Sequence, residues 1–302
     1  MKMILFLVLA AIMLLSMTPM ALAEDAEPAW MADGVLRILG IGNSYTEDTF
    51  QFLNDVAHAL GVEQVEAAYC WIGGSTVEQH VNNIKAENAA YELCVNTNGT
   101  WTSHKNVTVQ FAATYTNWDF ITIQQQSGAA GQKDQLVLAP ELAEMMHALC
   151  PNATLAWNMT WSYPDDWSEI PYYEEQFATL YGRDSQTMYQ SIVAATQECI
   201  VPLDLIEIII PHGTAIMNAR QTYMGEKPGR LSRDGLHLSY IRGRYIASMT
   251  ALAALTGLDI AQAETHIAAN YMKNEDFARC AVEAVSNALT NPWSVTPVQE
   301  KE

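Results

Sequence analysis

Short apolar runs alternate with helical patterns along most of the chain. Residues 36–41, 65–71, 120–123, 154–159 and 205–210 are nearly continuous in apolar side chains, as strands buried on both faces are. Between them, apolar positions recur at helical spacing over about residues 49–60, 76–91, 140–149 and 185–199. Each such stretch is long enough to carry the chain back across a sheet, which a parallel strand pair requires. The pattern predicts one α/β domain, a three-layer αβα sandwich around a five-stranded, mainly parallel sheet.

Two stretches interrupt the alternation. Residues 95–118 are rich in Asn and Thr, and residues 107–111 alternate as one arm of a hairpin would. Residues 160–183 carry Trp161, Tyr163, Trp167, Tyr172, Tyr173 and Tyr181 and read as a long aromatic loop after the fourth strand. Open α/β sheets bind ligands at that end of their strands. From 240 to 289 the chain is helical and Ala-rich, with Gly257 placed to cap the helix that precedes it.

The first 23 residues have a basic start at Lys2, an apolar run and a closing Ala-Leu-Ala, the layout of a cleaved secretory signal peptide. No cysteine follows to take a lipid anchor, and no later stretch is apolar over the length of a membrane span. Removing Lys2 from the 15 basic residues leaves 14 against 34 acidic ones, a net charge of −20 over residues 24–302. So negative a surface repels nucleic acid and anionic lipid, which argues against both as partners and favours a soluble exported protein. Cys70, Cys94, Cys150, Cys199 and Cys280 show no metal-ligand spacing, and their odd number leaves at least one thiol unpaired. Cys70 and Cys94, spaced across an expected helix, are the pair a disulfide could join; buried free thiols are the other reading.

Candidate chemistry sits at the two ends of the fold. Gly42-Asn43-Ser44-Tyr45-Thr46 follows the first strand directly and opens a helix, so backbone N–H groups surround Ser44. The same residues also suit a plain helix cap. Nearly 200 residues later, Arg233-Asp234-Gly235-Leu236-His237 spaces a carboxylate three residues before a histidine. That spacing allows the carboxylate to hold Nδ1 and leaves Nε2 free as base for a serine hydroxyl. A turn with a solvated Asp is the simpler alternative.

GNS after the first strand, a glycine pair after the second, a polar residue after the third and DxxH near the C-terminus resemble the four blocks of the SGNH, or GDSL-type, hydrolases. The resemblance spans residues 36–257. It implies a flavodoxin-like fold and serine esterase or lipase activity without a metal or organic cofactor. IGNSYTED, IGGST, ITIQQQSG and RDGLHLSYIRGRYIA most resemble a bacterial branch known only as a domain of unknown function. Carried over, Ser44 is the nucleophile, His237 the base and Asp234 its orienter. The oxyanion donors are the N–H groups of Ser44 and Gly74, with Gly73 as the alternative to Gly74. The third block departs from the family's GxND: Gln124-Gln125-Gln126 stands there, so Gln124 or Gln125 is expected to supply the side-chain donor.

Other residues are weighed by position. His80 is expected on a helix surface, and His212, after the fifth strand, is expected to line the pocket. Trp157 and Trp161 are either core packing or a wall on which a sugar ring stacks. Asn158 begins one of four N-x-[ST] sequons but lies at the end of an expected buried strand, where a glycan has no room. These residues together point to an esterase removing a small acyl group, acetyl first, from a carbohydrate ester. A lipase or thioesterase, and a non-catalytic glycan-binding protein on the same scaffold, are the alternatives.

Overall fold

The computed structural model describes residues 29–165, 171–225, 231–263 and 275–299, so the expected leader, residues 1–23, lies outside the described residues. One sheet of seven strands runs in the order β4-β3-β2-β1-β5-β6-β7. The strands are β1 Val35–Gly42, β2 Gln64–Trp71, β3 Tyr91–Thr97, β4 Thr100–Val107, β5 Phe120–Ile123, β6 Thr154–Asn158 and β7 Ile208–Ile210. β2, β1, β5, β6 and β7 are mutually parallel, and they are the five apolar runs of the sequence. The last shrinks to three residues because Leu205 and Ile206 lie in a turn before it. Counting the parallel strands alone, the order is 2-1-3-4-5, the flavodoxin-like order, whose ligand crevice opens between its first and third strands. Those are β1 and β5 here.

β3 and β4 form an antiparallel hairpin that extends the sheet beyond β2. Its turn is Asn98-Gly99, with φ of 48° and 86°. Positive φ at both central residues matches the right-handed twist of the arms, and Asn-Gly adopts it readily. The Asn98 side chain accepts from Val65 N–H at 2.9 Å, and its own N–H donates to Val65 O at 3.0 Å, which ties the tip to β2. The expected arm at residues 107–111 is instead the end of β4 and the start of the helix Val109–Ala113.

Two expected helices are also shorter than the pattern suggests. Residues 49–60 contain the end of one helix, Ser44–Phe50, and all of another, Leu53–Ala59. The Ser248 hydroxyl donates to Thr49 O at 2.6 Å and accepts from Phe52 N–H at 3.1 Å, so it satisfies the backbone groups the break exposes. Residues 76–91 form Val77–Lys85, after which Tyr91 starts β3. The aromatic stretch ends in a helix, Pro171–Tyr181, rather than continuing as loop. Ala139–Leu149 and Ser185–Cys199 match their expected spans, and Gly257 (φ 71°) caps Arg242–Thr256.

All five cysteines are free thiols. Cys70 and Cys94 lie on the adjacent strands β2 and β3, with the expected helix, Val77–Lys85, between them in the chain. There Cys94 pairs with Tyr69 and Cys70 with Leu93. Directly paired residues share a face and neighbours alternate, so the two sulfurs sit on opposite faces and cannot bond in this register.

Candidate active site

The C-terminal ends of β1, β5 and β6 bring Gly42, Gln124 and Asn158 together, and the serine turn is built on them. A Cβ on Gly42 would lie 2.1 Å from Thr46 Oγ1, so only glycine lets the chain turn this tightly into its helix. Asn43 caps that helix through Oδ1, which accepts from Tyr45 N–H at 3.0 Å, while its Nδ2 donates to Ser75 O at 3.0 Å. Ser44 is left half-buried at the first helical position. Among the described residues, no acceptor is recorded for the backbone N–H groups of Ser44 or Gly74.

Asp234 and His237 lie in a tight loop closed by the bridge between Ser232 and Leu238. Gly235 has φ 81°, a left-handed turn that brings the two side chains to one side. Asp234 Oδ1 accepts from Leu236 N–H at 3.0 Å and His237 N–H at 2.7 Å, and Oδ2 accepts from His237 Nδ1 at 2.6 Å. Nδ1 therefore carries the proton, and Nε2 accepts from Ser44 Oγ at 2.8 Å. Partial burial raises the Asp234 carboxyl, but the bonds from the His237 backbone and ring, with the attraction of that ring, carry it below the ordinary value. The carboxylate is thus kept ionised. Ser44, His237 and Asp234 are joined in one hydrogen-bonded row.

Two further groups fix this loop against the serine helix, and sequence reasoning missed both. Asp48, one turn after Ser44 and fully buried, accepts from Leu238 N–H at 2.8 Å, Arg233 at 2.8 Å and Arg244 Nε at 2.7 Å. Arg244 also reaches Glu47 at 2.9 Å and Gln51 at 3.0 Å. On the other side, Leu236 O accepts from Tyr45 OH at 2.8 Å and Trp161 Nε1 at 3.2 Å. The Tyr45 and Trp161 rings stack at 3.9 Å. An acid four residues after the serine, with two arginines flanking DGLH, was the available signal for the first of these.

The other expected site residues fall differently. Trp161 is buried behind the serine and histidine, so it braces the loop and offers no wall to a sugar; Trp157 is core packing on β6. His212 does not line a pocket: it is buried with its ring edge on Trp161, and Nε2 donates to Ala247 O at 3.1 Å. Burial pushes its pKa down to about 3, so it is neutral. His80 is fully buried, not on the helix surface, because the helix carrying it packs against Ala139–Leu149 and its ring lies against Tyr91. Its Nε2 meets Ser75 Oγ at 3.0 Å and its Nδ1 meets Tyr91 OH at 2.9 Å. Since Ser75 Oγ donates to Gly42 O at 2.9 Å, the chain reads Tyr91 to His80 to Ser75 to the serine turn, with the histidine held neutral by burial at a pKa of about 4. Asn158 is also buried, leaving no space for a glycan.

Neither expected glutamine is a free donor. Gln124 Nε2 donates to Asn43 Oδ1 at 2.9 Å, and Oε1 accepts from Thr46 Oγ1 at 2.9 Å and Asn158 Nδ2 at 3.2 Å. It supports the serine turn from beneath. Gln125 Oε1 accepts from Val77 N–H at 3.1 Å and Gln126 N–H at 2.7 Å, while Nε2 donates to Gln135 O at 2.5 Å. Truncating it orphans two buried backbone donors. Gln125→Ala should therefore cost about 2 kcal/mol of stability, visible as a lower Tm with kcat little changed. A large loss of kcat at unchanged Tm would return Gln125 to the oxyanion site. Among the described residues, no group of three or more His, Cys, Asp and Glu is placed to hold a metal ion.

Comparison with known proteins follows the same lines. A DUF4886 protein from Bacteroides uniformis is 30% identical, with a TM-score of 0.79 over 87% of this chain and 97% of that one. A protein assigned to the SGNH hydrolases from Slackia heliotrinireducens is 18% identical, with a TM-score of 0.48 over 73% of this chain and 99% of its own. A GDSL-like lipase assignment from Parabacteroides merdae is 14% identical, with a TM-score of 0.42 over 74% and 95% of the two chains. No match was found among curated proteins. The family model of DUF4886, a domain of unknown function, matches residues 37–285, and the chain belongs to that family.

Proposed function

We propose that the protein is a serine esterase that releases a small acyl group, most simply acetyl, from a carbohydrate ester. The observation that carries this reading is the continuous contact from Ser44 Oγ to His237 at 2.8 Å and from His237 to Asp234 at 2.6 Å. In the reaction His237 Nε2 takes the hydroxyl proton as Ser44 Oγ attacks the ester carbonyl. The oxyanion rests on the N–H groups of Ser44 and Gly74. His237 then gives its proton to the departing alkoxide. Water, deprotonated by the same histidine, cleaves the acyl-serine and restores the start.

The carbohydrate side of the reading draws on the strongly acidic composition, which disfavours anionic polymers, and on Tyr172, 68% exposed on the Pro171–Tyr181 helix. Action outside the cytoplasm rests on residues 1–23. An aryl phosphonate should leave a mass adduct on the peptide containing Ser44, and aryl acetate should be hydrolysed faster than aryl octanoate. Faster octanoate hydrolysis would replace this reading with a lipase or thioesterase. No adduct together with no hydrolysis would leave a binding protein.

A further inference from the structure

Gln124 and Gln125 each donate to a protein acceptor, Asn43 Oδ1 and Gln135 O. A hydroxyl from a different element lies against Gly74. Tyr173 lies on the helix Pro171–Tyr181, within the stretch the sequence suggests is loop. Its oxygen is 2.9 Å from the point where a Cβ on Gly74 would sit, so it lies directly against the proposed oxyanion turn. Gly74 has φ 67°, and the hydroxyl adds a second reason for glycine there.

The ring is held in place. It packs edge-on against Tyr163, centroids 6.5 Å apart, and against Tyr172 at 5.2 Å. Tyr163 is itself fixed by a 2.7 Å bond between its hydroxyl and Ser127 Oγ, just after the glutamine run. Tyr173 is only half-buried, so a substrate carbonyl can approach it. Burial raises its phenol pKa, and the Gln126 amide beside it only partly offsets this. At neutral pH it is therefore a phenol with a proton to donate.

We propose that Tyr173 is the third oxyanion donor and a catalytic residue, its O–H donating to the carbonyl oxygen as negative charge develops there, beside the N–H groups of Ser44 and Gly74. The phenol proton stays on Tyr173 throughout, and no bond to it forms or breaks. The proposal rests on the serine esterase reading. In that case the side-chain donor comes from the helix Pro171–Tyr181, not from the end of β5.

The test compares Tyr173→Phe, Ser44→Ala and the parent on an aryl acetate. Removing one donor should lower kcat of Tyr173→Phe about 100-fold with KM within about twofold and an unchanged Tm, because the interaction exists only in the transition state. Inactivation by the phosphonate, whose oxygen occupies the oxyanion position, should slow in parallel. A Tyr173→Phe protein that keeps parental kcat and phosphonate reactivity while Ser44→Ala is inactive overturns the Tyr173 assignment and leaves the esterase standing. A raised KM with unchanged kcat also overturns it, since that marks simple substrate contact. An active Ser44→Ala protein removes the esterase reading itself.

Discussion

Ser44→Ala is expected to lower kcat on an aryl acetate by on the order of 10⁵–10⁶-fold while leaving the fold intact. The side chain is half-buried at a helix start, and its one recorded bond, to His237 Nε2, is the bond the reaction uses. Loss of the hydroxyl removes no cap, because Asn43 does the capping through Tyr45 N–H. Thermal melting should thus stay near the parent value. His237→Ala should have a comparable effect, and the double variant should be little worse than either single one, since the two residues act as a unit. Strictly additive losses would mean that they work separately, and the serine–histidine mechanism would fail.

Asp48→Ala should show the largest loss of stability. Its carboxylate has no exposed surface and faces Arg233, Arg244 and Leu238 N–H at once. Removing one partner of a buried ion pair costs about 3–5 kcal/mol, because the other charge is left without compensation. Here the lower end is expected, as Arg244 keeps Glu47 and Gln51. A loss of that size should lower Tm by about 5–10 °C in a chain of this length. Activity should also fall, by about 100-fold well below the melting temperature, because the loop carrying Asp234 and His237 loses its anchor on the serine helix. Asp234 and His237 ride on that loop and would move together, so their mutual bond should survive while the bond to Ser44 lengthens. The phosphonate should then react slowly with a protein that is still folded at the assay temperature. Parental stability and parental activity together would show that Asp48 anchors nothing.

Much of this was legible in the chain because it is encoded locally. The five parallel strands are continuous apolar runs, and their order follows from short right-handed crossovers. Ser44 is marked by the small residue before it and the helix behind it; Asp234 and His237 are marked by their spacing. What the sequence left open depends on the third layer. Whether His80 faces solvent or core is decided by the packing of its helix on Ala139–Leu149 and by Tyr91, and whether His212 lines a pocket is decided by Trp161 and the Arg242–Thr256 helix. The glutamine contacts were not legible for a related reason: an amide donates wherever its rotamer finds an acceptor, and here Gln124 meets Asn43 and Gln125 meets Gln135. The hairpin is a different case. Asn98-Gly99 is a strong turn signal in its own right, but the Asn- and Thr-rich composition around it obscured the two strands it joins.

The absence of disulfides among the described residues has a consequence for the chemistry of the thiols. Thiolate, not thiol, reacts with oxidants, and burial raises the pKa of Cys150 to about 11 and that of Cys70 further. At pH 7 a thiol of pKa about 11 is ionised in roughly one molecule in ten thousand, about 100-fold less often than an ordinary thiol, and its exchange with disulfides slows by up to that factor. Oxidants should therefore modify the half-buried Cys94 and Cys199 before Cys70 and Cys150, whose thiols the core keeps protonated.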